Sequence, residues 1–231
     1  MKKLLLALMC MTMALFTTAC SDSSSNKETD QKQEETDKQK KDETSENKDS
    51  EKDEEESMPG SVEGGKKYTA VITVEGYGDI TLTLDEGIAP KTVDNFVKLA
   101  NEGFYDGLTF HRIMDGFMIQ GGDPEGNGTG GSDEAIEGEF SSNGFNNTLS
   151  HKKGVISMAR SQNPNSASSQ FFIVEEDSQF LDGDYAAFGY VTDGMDIVEK
   201  IAEDAKPVDN NGTIVPEEQP VITSITVTEA E

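Results

Sequence analysis

Residues 110–122 read FHRIMDGFMIQGG: one arginine, Arg112, stands among Phe110, Ile113, Met114, Phe117, Met118 and Ile119, with Gln120 and two glycines closing the run. Arg112 is one of only two arginines in 231 residues. Thr109–Met114 and Phe117–Gln120 read as two short strands split at Asp115-Gly116, the arrangement of a tight antiparallel turn. A guanidinium inside an apolar strand is costly unless it meets a partner or lines a cavity. The reading adopted is a cavity.

Outward from this stretch, alternating apolar and polar residues mark further strands at Tyr68–Val74 (YTAVITV) and Ile80–Leu84 (ITLTL), joined by a hairpin at Gly76–Asp79. In Pro90–Glu102 the period changes. Val93, Phe96, Val97 and Ala100 fall at helical spacing, with Pro90 in the first turn and Gly103 placed to end the helix. Gly121–Thr148 holds eight glycines and few apolar anchors, which predicts a long functional loop. Strands follow at Gly154–Ala159, Gln170–Glu175 and Tyr185–Thr192, then a helix over Asp196–Ala205 and a last strand over Val221–Val227. Eight short strands, with the first and last well placed to pair, predict a mainly β fold. The expected form is a closed eight-stranded antiparallel barrel capped by two α-helices.

The chain before this domain has another character. Two lysines, an apolar run and small residues up to Cys20 have the layout of a secretory signal over residues 1–19. Thr17-Thr18-Ala19-Cys20 resembles a bacterial lipobox, although Thr17 stands where an aliphatic residue is usual. On that resemblance Cys20 is the lipidated mature N-terminus, carrying a palmitate-type anchor at the outer face of the cell membrane. Ser21–Ser57 has 15 acidic residues against 7 lysines, a net −8, and no Val, Ile, Leu, Phe or Tyr. Such a segment buries no core and is read as a solvated tether, so residues 20–65 form a linker and residues 66–231 the folded domain. A flexible chain of that length spans on the order of 40 Å.

Composition excludes several functions. The only cysteines are Cys10 and Cys20, so the domain can build no disulfide framework, zinc–thiolate site or thiol nucleophile. From Met58 onward 30 acids oppose 10 Lys and Arg, a net −20 that repels nucleic acid. Gly126-Asn-Gly-Thr-Gly-Gly131 satisfies a dinucleotide-loop spacing, but no strand leads into it and no helix follows. Asn127-Gly-Thr129, Asn146-Asn-Thr148 and Asn211-Gly-Thr213 fit a glycosylation pattern and read as chance matches in an exported bacterial lipoprotein. The histidines, His111 and His151, have no nucleophile motif near them.

What remains is apolar side chains, one arginine and glutamines. That inventory suits a reaction without nucleophile or proton transfer, such as rotation about an Xaa-Pro bond. The barrier there is roughly 18–20 kcal/mol because the C–N bond is partly double. Twisting localises the nitrogen lone pair, and a donor aimed at it stabilises the transition state more than the ground state.

FHRIMDGFMIQGGD, GNGTGG, SMARSQNPNSASSQFFI and FLDGDYAAFGYV, in this order from about Tyr68 to Glu229, resemble the cyclophilin family of peptidyl-prolyl cis/trans isomerases. The resemblance implies an enzyme without cofactor or metal that acts on proline-containing peptides or unfolded exported proteins. By position it implies Arg112 as the catalytic arginine and Gln120 as the glutamine that orders it. It also implies a proline pocket of Phe117, Met118, Phe172 and Leu181, and a groove lined by His111, Ala159, Arg160, Gln170, Phe180 and Tyr185. Phe180 stands where many members carry Trp, which implies weak inhibition by cyclosporin. Arg160 and Tyr185 replace an Asn and a His common in the family and alter the rim. A proline-peptide binding module or holdase chaperone, using the same groove without turnover, is the alternative. A monomer is the default expectation.

Overall fold

The computed structural model describes residues 64–230; the signal segment, Cys20 and nearly all of the tether lie outside the described residues. Among the described residues, eight strands and two α-helices occur: β1 Lys67–Val74, β2 Gly78–Asp85, α1 Pro90–Asn101, β3 Thr109–Met114, β4 Met118–Asp123, β5 Val155–Met158, β6 Phe171–Val174, β7 Ala187–Asp193, α2 Met195–Asp204 and β8 Ile222–Glu229. The sheet order is β3-β4-β6-β5-β7-β2-β1-β8, antiparallel throughout. The first and last strands pair as expected, with Tyr68 opposite Glu229 and Ile72 opposite Ile225.

Closure of the barrel is the expectation the structure overturns. The sheet curls into a half-barrel, and its edge strands β3 and β8 meet only where they begin, through the Thr109–Val221 bridge and the bonds of Ile222 with Gly107 and Leu108. The cause is competition for the edge of β3. Residues 212–220 run beside that edge and take its hydrogen bonds: Ile113 N donates to the Gly212 carbonyl, Ile214 N to His111 and Phe110 N to Pro220. A backbone group already paired cannot join a second ladder. β8 therefore starts too late to zip along β3.

β4 also runs further than expected, to Asp123. Gly121 stays in the ladder opposite Phe171, because a Cβ there would stand 2.8 Å from the Thr109 carbonyl and 3.1 Å from the Phe110 ring. The long loop thus begins after Asp123. It contains a short 3-10 turn, Ser141–Asn143, and one bridge from Ile136 to Ala167.

The core lies inside the curl. Alternating residues of β1 and β2 (Ala70, Ile72, Ile80, Leu82, Leu84) are fully buried, as a half-buried strand pair requires. β5 and β6 are buried on both faces. α1 packs on β2 and β8 and sends Phe96 into an aromatic cluster with Tyr105, Phe171 and Phe188, ring centroids 5.1–5.5 Å away. Such offset and edge-to-face pairs add to the stabilisation from area burial. The helix ends at Asn101 with Glu102 as its C-cap, and Gly103 follows in the left-handed conformation (φ 70°).

The start of α1 is capped from a distance. Ala89, at the N-cap, offers no side-chain acceptor, and the carboxylate of Glu139 in the long loop takes that place. It accepts from Lys91 N at 3.0 Å, Thr92 N at 2.8 Å and the Thr92 hydroxyl at 2.7 Å, with Glu139 itself buried. An anion at a helix N-terminus satisfies orphan donors and opposes the positive end of the dipole. Glu139→Ala should therefore cost about 1–3 kcal/mol by leaving buried donors unmet. Urea unfolding checks this, and an unchanged midpoint would remove Glu139 from the account.

Candidate active site

The register of four strands assembles the site. Arg112 on β3 stands opposite Gln120 on β4, Gln120 opposite Phe172 on β6, and Phe172 opposite Ser157 on β5. Residues directly across neighbouring strands share a face, so this row forms one surface of the sheet. Phe171, one residue earlier, points the other way into the aromatic core.

A cavity of about 340 Å³ opens over this row, lined by Arg112, Phe117, Met118, Gln120, Ala159, Arg160, Phe172, Leu181 and Tyr185, with His111 at its wall. Ten of the twelve peptide-site residues expected from the sequence line it. The other two stand aside. Gln170 lines an adjoining cavity of about 410 Å³ that shares Gln120, Gly128, Ala159 and Arg160 with the first. Phe180 is 73% exposed on the rim, its ring centroid 5.5 Å from that of Phe117. Sequence reasoning missed Asn127, Gly128 and Thr213, which also line the main cavity. Asn127 and Gly128 lie in the GNGTGG run, which shares in the resemblance but suggests no role for them, and Thr213 lies in a triplet read as a chance glycosylation match; the fold brings all three to the cavity.

Arg112 has no carboxylate within salt-bridge reach among the described residues. Neutral acceptors hold it. Its Nε donates to the Asn211 carbonyl at 2.7 Å and one terminal nitrogen donates to Gln120 Oε1 at 3.0 Å, while the other lies 3.2 Å from Met114 Sδ. Gln120 Nε2 donates to Gln170 Oε1 at 2.9 Å, and Gln170 Nε2 to the Gly130 carbonyl at 2.7 Å. Burial lowers the Arg112 pKa, with Tyr185 and Asp209 acting in the opposite sense. A guanidinium remains a cation throughout.

The Gly130 end of this chain is fixed by Asp123. Its carboxylate accepts from the backbone N–H groups of Glu125, Asn127 and Gly128 and so ties the glycine loop to the end of β4. Burial acts against the ionised form of Asp123, but the backbone donors of Glu125, Gly128, Asn127 and Gly130 outweigh it and hold its pKa below the ordinary value.

Behind Phe172 stands His151, stacked on it with ring centroids 6.0 Å apart, and Tyr185 meets Phe172 edge-on at 5.8 Å. His151 Nδ1 lies 2.8 Å from Asp182 Oδ1 and Nε2 lies 3.0 Å from Ser157 Oγ. Since Asp182 can only accept, Nδ1 carries the proton and the Ser157 hydroxyl donates to Nε2. The spacing imitates a hydrolytic triad, yet Ser157 is fully buried and does not line the cavity. These groups brace the pocket wall instead. Arg160 is braced in turn, its guanidinium 4.9 Å from the ring centroids of both Phe140 and Tyr185.

The model of the family "Cyclophilin type peptidyl-prolyl cis-trans isomerase/CLD" matches residues 69–227. Peptidyl-prolyl cis-trans isomerase B of Escherichia coli is 41% identical over 161 residues, covering 66% of this chain and 96% of that protein. A probable peptidyl-prolyl cis-trans isomerase of Brucella suis is 44% identical over 149 residues, 59% of this chain and 72% of that one. The crystal structure of a Cryptosporidium parvum cyclophilin-type isomerase, determined in the presence of the dipeptide Ala-Pro, superposes with a TM-score of 0.61 at 30% identity. It covers 70% of this chain and 99% of its own. The chain belongs to the cyclophilin-type peptidyl-prolyl cis-trans isomerases. Its activity is that class of reaction, exchange of the two isomers of an Xaa-Pro bond.

The two histidines make stability depend on pH. Burial pushes both His111 and His151 below the ordinary value of 6.5, the latter despite Asp182. The unfolded chain therefore binds protons near pH 6.5 that the folded chain refuses. Stability should be at its full value above that pH and should fall as pH drops through it towards the lower folded values. Thermal unfolding from pH 8 to pH 5 should show this decline, flattened in part by His151→Gln. A midpoint independent of pH would contradict it.

Proposed function

We propose that the cavity seats a proline ring against Phe117, Met118, Phe172 and Leu181, and that Arg112 is the catalytic group. The observation that carries this is the guanidinium held by neutral acceptors alone in a cavity that also presents the apolar side chains of Phe117, Met118, Phe172 and Leu181. A cation already neutralised by a carboxylate would have little to offer a developing lone pair. Held as it is, Arg112 can donate to the proline nitrogen as the amide twists, while the planar ground state gains little from the same donor. Gln120 fixes its direction. His111, Ala159, Arg160, Gln170, Phe180 and Tyr185 border the path of the flanking peptide.

The chemistry needs only a conformational catalyst. No bond is made or broken, and the uncatalysed exchange already proceeds in tens to hundreds of seconds. Removing one well-placed donor costs on the order of 10²–10³ in rate. Arg112→Ala should lose about that much of kcat/KM in Ala-Pro exchange of a model tetrapeptide, with KM changed less than kcat. Equal rates for the two proteins would sink the assignment. An Arg112→Ala variant that still suppresses aggregation of an unfolded client as well as wild type would favour a holdase that uses the same groove.

The setting is part of the same reading. The signal-like residues 1–19, the lipobox-like Thr17–Cys20 and a strongly acidic tether support a monomeric catalyst anchored through Cys20 at the outer face of the membrane, working on proline-limited steps of newly exported chains. Two acyl chains on one modified cysteine suffice for stable anchoring. Cys20→Ala should move the protein from the membrane fraction to the medium or periplasm. Retention in the membrane fraction would refute lipidation at Cys20.

A further inference from the structure

The catalytic reading leaves one question about Arg112: what holds the acceptor that aims its Nε. That acceptor is the Asn211 carbonyl, 2.7 Å away, and it belongs to an exposed loop with no secondary structure of its own. A free loop carbonyl would wander, and the guanidinium with it. Here it does not, because the loop is tied from within and clipped from without.

The inner tie is Asp209. One carboxylate oxygen accepts from the backbone N–H of Asn211 at 2.9 Å and of Thr213 at 3.1 Å, and the other accepts the Thr213 hydroxyl at 2.9 Å. Val208 N closes the turn onto the Thr213 carbonyl at 2.9 Å. The outer clip is the pairing of Gly212 and Ile214 with β3 on either side of Arg112, with Thr213 bridged to Arg112 itself. Gly212 permits the approach for two reasons. Its φ is 85°, and a Cβ would stand 2.5 Å from the Ile113 carbonyl and 2.5 Å from Met114 Cγ. The backbone N–H of Thr213, its hydroxyl and the other loop donors keep the Asp209 carboxyl ionised below its ordinary value, in spite of a small opposing effect of burial. The same charge also favours the Arg112 cation, against the effect of burial.

We infer that Asp209 is a positioning residue for the isomerase reaction: by fixing the turn over residues 208–213 it fixes the Asn211 carbonyl, and through it the direction of Arg112. It makes no hydrogen bond to Arg112 and does not itself line the cavity, which it reaches only through Thr213. The inference rests on the reading of Arg112 as the catalytic group. A displacement of about 1 Å in such a group costs up to 10²-fold, so the effect of Asp209 should appear in kcat and leave KM nearly unmoved. The neutral isostere keeps one carbonyl oxygen for the two backbone donors but loses the acceptor for Thr213, which places it between wild type and a full deletion.

The experiment compares the full chain with Asp209→Ala and Asp209→Asn, measuring kcat and KM for Ala-Pro exchange, the thermal midpoint, and the NMR resonance of Arg112 Nε–H. Asp209→Ala should lose on the order of tenfold in kcat with KM within about twofold. Its Arg112 Nε–H signal should shift or broaden through loss of the Asn211 contact, and Asp209→Asn should recover part of both. Unchanged kcat, or lost kcat with the Arg112 signal unmoved, overturns the inference, since a general loosening of the fold would account for the latter. If Asp209→Ala does not fold, Asp209→Asn decides by the same two readouts. If Arg112→Ala proves fully active, the catalytic reading fails, and the Arg112 Nε–H signal in the Asp209 variants still decides whether Asp209 sets the geometry of that side chain.

Discussion

The interaction on which the site depends is a guanidinium held without an anion. Arginine can only donate, so the atom of Gln120 that faces Arg112 has to be its carbonyl oxygen. That choice turns the Gln120 amide nitrogen towards Gln170, which must present its own oxygen and send its nitrogen to the Gly130 carbonyl. One chemical fact about arginine thus orients two amides and ends on a backbone carbonyl, with no freedom for either to flip. The other end of the chain, at Nε, also ends on a backbone carbonyl, that of Asn211. Both carbonyls lie in loops tied by an aspartate, Asp123 on one side and Asp209 on the other. The domain carries a net −19, yet Asp123 and Asp209 beside the site are spent on loop N–H and hydroxyl groups and form no ion pair with the cation.

This arrangement also explains the shape of the sheet. The loop that presents Asn211 must lie against β3, and in doing so it takes the hydrogen bonds that β8 would need to close a barrel. An open seam is thus the structural cost of supporting Arg112 from the edge side. On the other side the sheet is continuous, and the row Arg112, Gln120, Phe172 is set by ladder register alone. The pocket therefore rests half on regular structure and half on loops, with the aromatic wall of Phe172 and Tyr185 braced from behind by His151.

Much of this was legible in the sequence, for identifiable reasons. Strands such as YTAVITV and the helix beginning at Pro90 declare themselves by period, and their boundaries differ from expectation by a residue or two. Arg112, Phe117 and Phe172 could be named because their motifs are long and ordered. The closed barrel was wrong because closure depends on where residues 206–221 lie, and that segment has neither apolar period nor helix signal. Asp209 and Thr213 were illegible for a related reason: their bonds to one another and to the turn depend on backbone geometry, and in a chain with 45 acidic residues no single aspartate stands out. Phe180 was placed in the groove by its neighbours in sequence, but a short 3-10 turn over Gln179–Leu181 buries Leu181 and leaves Phe180 on the rim.

The pairing of β1 with β8 has a consequence for how such a catalyst can be deployed. Tyr68 lies opposite Glu229, and Ala230 N donates to the Lys67 carbonyl at 2.8 Å, so the chain enters and leaves the domain at one point. All eight strands of the sheet lie between Lys67 and Glu229. The Escherichia coli relative, matched over 96% of its own length by 161 residues here, is little more than the domain alone. A fold whose ends meet at one edge of its sheet can be joined to another segment there without altering the strand order that builds the groove.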